Sequence, residues 1–151
     1  MHRLAPVLVV VAALLISGCG SDNKQANEYV EAVNKAQTDF AATFDRLSSR
    51  ITSSSTPAQD QKTLDGFKAA VDKVVGDLRA VEVPSNVKDL HGQLVGEISA
   101  YGAEIDKAKG AFADGDARTI VKAQTALVSA VTRVSSQINR TIDEINKKLR
   151  E

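Results

Sequence analysis

The residues between 64 and 81 constrain the fold more than any others. Leu64, Phe67, Val71, Val74, Leu78 and Val81 follow one another in alternating steps of three and four. At 3.6 residues per turn that spacing lays every one of them on a single side of a helix, whereas a half-buried strand needs steps of two. A stripe this regular must be buried against other helices, as in a coiled coil. Thr56-Pro57 supplies the start: the threonine hydroxyl can cap, and proline fits the first helical position, where its missing N–H costs nothing. On the outer face Lys68 with Asp72 and Lys73 with Asp77 stand four apart, a spacing worth a few tenths of a kcal/mol per pair.

Three further segments have the same period. Ahead of this helix run Ala26, Tyr29/Val30, Val33, Phe40, Phe44, Leu47 and Ile51, with Gln37 as a polar interruption of the stripe. The Ser- and Thr-rich residues 48–56 then close that helix, because their hydroxyls compete for backbone hydrogen bonds. Pro84 biases Val83 to an extended conformation, so the second helix stops near Val81 and a third begins at Pro84 or Ser85. Its stripe is Val87, Leu90, Leu94, Ile98, Tyr101, Ile105, Ala108 and Phe112. Gly115 suits a positive φ and Asp116 an N-cap, so the chain turns there. A last helix over about 117–149 would bury Ile120, Leu127, Val131, Val134, Ile138, Ile142, Ile145 and Leu149. Four long amphipathic segments with short connections predict an all-α, up-down-up-down antiparallel four-helix bundle. A three-helix bundle with a loose first segment is the alternative.

Before the helices comes a leader. Arg3 is followed by an apolar run over 7–16 and then by small residues and the chain's one cysteine, Cys19. That is the layout of a secretory signal, and the apolar run is shorter than the ~20 residues a membrane span requires. Ile16, Ser17, Gly18 and Cys19 resemble the lipobox of bacterial lipoproteins: an aliphatic residue, two small ones and cysteine. The resemblance implies a diacylglyceryl group on the Cys19 thiol and cleavage just before it, with Ile16, Ser17 and Gly18 recognised by the signal peptidase. The expected organisation is a signal peptide over 1–18, a lipidated polar tether over 19–25 and a helical domain over 26–151. The protein would be exported and held by lipid on Cys19 to the outer face of the cell membrane. In a bacterium with two membranes the outer membrane is the destination, since Gly20 stands where an aspartate would retain it.

Cleavage leaves 133 residues, enough for one packed domain, with 18 Lys and Arg against 19 Asp and Glu. Nucleic-acid binding normally leaves a basic stripe; none is expected in this near-neutral chain, and nucleic acid is not expected as a partner. With aromatics at 4% and no tryptophan, the sequence lacks the rings of carbohydrate or base-stacking platforms.

Catalytic and metal motifs are missing as well. A di-iron bundle needs paired Glu-x-x-His units, but the mature chain has one histidine, His91, with Lys88 three residues before it. Haem ligation lacks a ligand set, and no cysteine remains as a nucleophile. The glycine spacing over 110–115 imitates a phosphate loop without its lysine, and Arg118 spoils the calcium-loop pattern that opens at Asp114. No enzyme, cofactor or metal is expected. His91 follows Leu90 near a helix start, where a partly exposed ring is expected. Tyr29 and Tyr101 fall at the edge of the core. Gly92, Gly96, Gly102 and Gly110 in the third helix allow two readings, close approach by another helix or an exposed face.

The stretch Leu78, Val81, Val83-Pro84, Val87, Leu90-His91, Leu94 resembles a pattern in secreted helical lipoproteins of actinobacteria, and implies the same bundle and compartment. The expected role is a non-enzymatic interaction or structural one in the cell envelope, possible partners being other envelope proteins. A bundle that carries a small apolar ligand or lipid is the alternative.

Overall fold

The computed structural model describes residues 21–49, 56–113 and 116–151. Ile16, Ser17, Gly18 and Cys19 lie outside the described residues, as do Ile51 and Gly115. Four helices follow in order: α1 (Ser21–Ser48), α2 (Pro57–Arg79), α3 (Lys88–Ala113), preceded by a 3-10 turn (Ser85–Val87), and α4 (Ala117–Leu149). The chain is an all-α four-helix bundle.

The helix starts follow local chemistry. Thr56 and Gln59 form a reciprocal capping box: the Gln59 amide donates to Thr56 Oγ1 at 3.3 Å, and the Thr56 amide donates to Gln59 Oε1 at 2.8 Å. Asp116 caps α4, its carboxylate accepting from the Thr119 amide and hydroxyl at 2.8 Å each. Those bonds hold the Asp116 carboxyl below its ordinary pKa. One boundary departs from expectation. Helix α1 begins at Ser21 and takes in most of the expected tether. Nothing from Ser21 onward breaks a helix, Lys24 and Glu28 pair one turn apart at 3.7 Å, and Gln25 donates to Glu82 at 3.3 Å.

Packing is sequential: α1 lies on α2, α2 on α3, and α3 on α4, while α1 and α4 share no extensive seam. Pairings along the seams make neighbours antiparallel. Lys109 near the end of α3 meets Asp65 near the start of α2 at 2.6 Å, and the base of a Cβ at Gly102 would lie 3.3 Å from Val71. Between α3 and α4, Thr141 donates to both Glu97 oxygens at 3.0 and 3.1 Å, and Gln93 donates to both Thr141 and Glu97. Thr141 is 1% exposed, so this network fixes the α3–α4 register inside the seam. The aromatic contact of Phe40 with Tyr101, centroids 6.5 Å apart, reaches from α1 to α3.

The core runs through all four helices, including Val30, Val33, Leu64, Val71, Leu78, Leu94, Ile105, Ile142 and Ile145. Since Tyr29, Val33 and Leu47 are buried on α2, the first segment is part of the bundle and not a loose arm. Helix α4 is unevenly covered. Its second half buries Val134, Ile142 and Ile145, whereas Val121 is 61% and Val128 44% exposed in the first.

The glycines of α3 divide into the two readings. Around Gly92, Gly96 and Gly110 an added Cβ meets open space, so these sit on a free face. Gly102 is buried at the α2–α3 crossing, where Val71 and Lys68 approach at 3.3 and 3.5 Å. Gly96→Ala should therefore raise stability by about 0.5–1 kcal/mol through helix propensity alone. Gly102→Ala should not gain, because Val71 must yield. Urea midpoints of the two variants check this, and a loss at Gly96 would mean that its face is covered.

Candidate functional site

Where Pro84 turns the chain, the last turn of α2 and the first turn of α3 meet the start of α1. The 3-10 turn closes with the Val87 amide on the Pro84 carbonyl at 3.1 Å and buries Val87. From there the buried positions continue to His91 and Leu94 in steps of four and three. His91 thus takes the core position that the sequence assigned to Leu90, and Leu90 is only partly buried. The expectation of a partly exposed histidine without a partner is corrected. The ring is 7% exposed and bonded at both nitrogens.

His91 Nε2 lies 3.1 Å from the Leu78 carbonyl, and Nδ1 lies 3.1 Å from the Tyr29 hydroxyl. A carbonyl only accepts, so Nε2 carries the proton; Nδ1 is then the acceptor and Tyr29 the donor. The Tyr29 and His91 rings meet edge to face, with centroids 5.6 Å apart. Tyr29 is 1% exposed, not at the core edge, and burial pushes its phenol up to about 12. Tyr101 is half-buried and likewise pushed up to about 12 by burial. Burial lowers the pKa of His91, against a smaller raising effect of the Leu78 carbonyl. The result is a neutral imidazole that ties α1, α2 and α3 together.

Both imidazole nitrogens are engaged, one by the Leu78 carbonyl and one by the Tyr29 hydroxyl, and that hydroxyl is itself buried. Two concavities lie nearby on the α1–α2 side. A small cleft of about 220 Å³ at the base is bordered by Glu28, Tyr29, Asp77 and Glu82. A larger groove of about 550 Å³ lies between α1 and α2, lined by Ala36, Phe40, Leu47 and Val74 together with Asp39 and Lys73. Among the described residues no group of three or more His, Cys, Asp and Glu side chains is placed to hold a metal ion. Nor, among them, is any helix long and apolar enough to cross a membrane.

Of the residues singled out in the sequence, Cys19, Ile16, Ser17 and Gly18 fall outside the described part, so their chemistry rests on the motif. The His91–Tyr29 pair is the polar feature that sequence reading missed. The steps Val87–His91–Leu94 were the available signal. No protein-family model, curated protein or solved structure matches this chain.

The lock predicts a pH dependence. Unfolded, the imidazole titrates near 6.5; folded, its pKa is lower. The unfolded state therefore binds more protons in that interval. The stabilisation is complete above about pH 6.5 and is lost as pH falls through the folded value. The urea midpoint should drop as the pH is taken from about 7 to 5.5. In the double variant Tyr29→Phe/His91→Leu the drop should be smaller. An equal drop in both proteins would show that other groups carry it.

Proposed function

We propose that the chain is an exported, lipid-anchored protein of the bacterial cell envelope whose helical domain has a non-enzymatic interaction or structural role. One observation carries this reading: a signal-like leader that ends in Ile16-Ser17-Gly18-Cys19, immediately ahead of the first helix. A lone cysteine in an exported chain would otherwise be a free reactive thiol, and lipidation gives it a use. More than one acyl chain would hold the domain stably, since each buried methylene contributes about 0.8 kcal/mol. The domain's interior is consistent with a scaffold: the bonds of His91 and Thr141 join helix to helix. Replacing Cys19→Ala should abolish acyl labelling and leave the leader uncut, while the helical circular-dichroism signal is unchanged. Normal labelling of that variant would overturn the proposal.

A second reading, a carrier for a small apolar ligand or lipid, is favoured by the α1–α2 groove. Its lining includes Ala36, Phe40, Leu47 and Val74, and its volume of about 550 Å³ is within the range of small-molecule sites. Native mass spectrometry of the mature chain with Cys19→Ser, purified from cells, should then show bound lipid. A clean unliganded mass, before and after addition of fatty acid or phospholipid, would discard this reading.

A further inference from the structure

Charge in the bundle is unevenly spread. Along α1 to α3 cations pair repeatedly with carboxylates one turn away, as in Lys24–Glu28, Lys35–Asp39, Lys68–Asp72, Lys73–Asp77 and Lys107–Glu104. On α4 one such pair forms among the described residues, Lys148 with Glu151 at 2.8 Å, at the helix's very end. The rest of the helix bears a basic stripe that the near-neutral composition did not lead one to expect. It comprises Arg118, Lys122, Arg133 and Arg140, with no Asp or Glu before Asp143. Lys147 continues the series, and all five cations are exposed. At 100° per residue they fall within a sector of about 60°, a stripe about 44 Å long that avoids the buried face of Val134, Ile142 and Ile145. The anions facing it are few. Glu104 of α3 reaches Arg133 at 3.9 Å, and Asp143 and Glu144 flank the last turns. Arg118, Lys122 and Arg140 have no ion-pair partner among the described residues.

The groups between the cations suit a dry contact. Thr125, Ser129, Thr132 and Ser136 each donate to the carbonyl four residues back, at 2.9–3.1 Å. Their protons are therefore already satisfied, and covering them leaves no donor stranded. Beside them stand Val121 and Val128, the large hydrophobic side chains that are exposed among the described residues.

We propose that this face of α4 lies along an anionic membrane surface, with its cations among the lipid headgroups and Val121 and Val128 at the edge of the acyl region. Basic helices with an apolar flank bind such surfaces through both terms. Three observations select a membrane over other occupants. A second copy of α4 would set cation against cation. A protein partner would want an aromatic or arginine anchor seated in a pocket, whereas this stripe is convex, linear and without an aromatic ring. The choice also rests on the lipid-anchor reading, and the geometry suits it. Gln25 of α1 binds Glu82, and Asn86 binds the Lys148 carbonyl, so the start of α1 and the end of α4 flank the same turn. A lipid on Cys19 would thus emerge at the end of the bundle where the stripe finishes.

The test uses the lipidated chain with Val128→Cys, labelled with an environment-sensitive fluorophore; the lipid thioether at Cys19 excludes the label there. The protein is reconstituted on vesicles of phosphatidylcholine alone, or of equal parts phosphatidylcholine and phosphatidylglycerol. The proposal expects the label to enter lipid on the anionic vesicles only, and to return to water as salt is raised. Adding Arg118→Gln, Lys122→Gln, Arg133→Gln and Arg140→Gln should lower the ratio of lipid-exposed to water-exposed label by at least about tenfold, given a contribution near fivefold per cation. Circular dichroism checks that this variant is folded, and the salt titration gives the same readout without it. A label that stays in water on protein that floats with both vesicles overturns the α4 proposal and leaves the anchor standing. Equal entry into both vesicles overturns it too, since charge would not be the cause. Shielding of the label by self-association, or only on adding envelope proteins, would give the face to a protein and sink the membrane proposal. Protein that takes a second label at Cys19, ignores neutral vesicles and enters anionic ones supports the α4 face and refutes the anchor.

Discussion

Helices α2 and α3 each have a helix packed on two sides, and the seam between them joins the two halves of the bundle. Along it lie Leu78 near His91, Val71 against Gly102 and Asp65 against Lys109. The crossing at Gly102 sets how near the two axes come, because a side chain there would have to displace Val71. α1 is then laid on one side of this pair and α4 on the other, so neither outer helix needs the other to find its place. With no cysteine among the described residues, packing and a small number of buried polar bonds supply the whole of the specificity.

Those polar bonds sit where packing alone would leave ambiguity. An apolar stripe that repeats every three and four residues tolerates a slide by one heptad, since leucine and valine fit each other's places with little loss. The Gln93–Glu97–Thr141 network forbids that slide between α3 and α4, and the Tyr29–His91–Leu78 bonds forbid it among α1, α2 and α3. A slipped register would leave the buried members, Thr141, His91 and Tyr29, without these partners, at about 1–3 kcal/mol each.

The helices and caps were legible in the sequence because they depend on neighbours along the chain. Thr56 and Asp116 cap as their residue types suggest, and the stripe from Leu64 to Leu78 is buried throughout. What was not legible depends on partners distant in sequence. Leu90 and His91 occupy adjacent positions, and hydrophobicity favours leucine for the core. The tyrosine and carbonyl that make histidine acceptable there come from residues 29 and 78. The same holds for Thr141, which no apolar pattern marks, and for the sequential packing that leaves one side of α4 bare. The motif ending at Cys19 lies outside the described residues and is carried by the sequence alone.

The early start of α1 bears on mechanics. In the proposed anchored state only Cys19 and Gly20 separate the acyl chains from a helix that begins at Ser21, a leash of about 7 Å at full stretch. A domain so held would stay close against the bilayer surface. How the bundle leans would then decide which of its faces the surroundings meet, and α1, 28 residues and about 42 Å long, sets the scale of that difference.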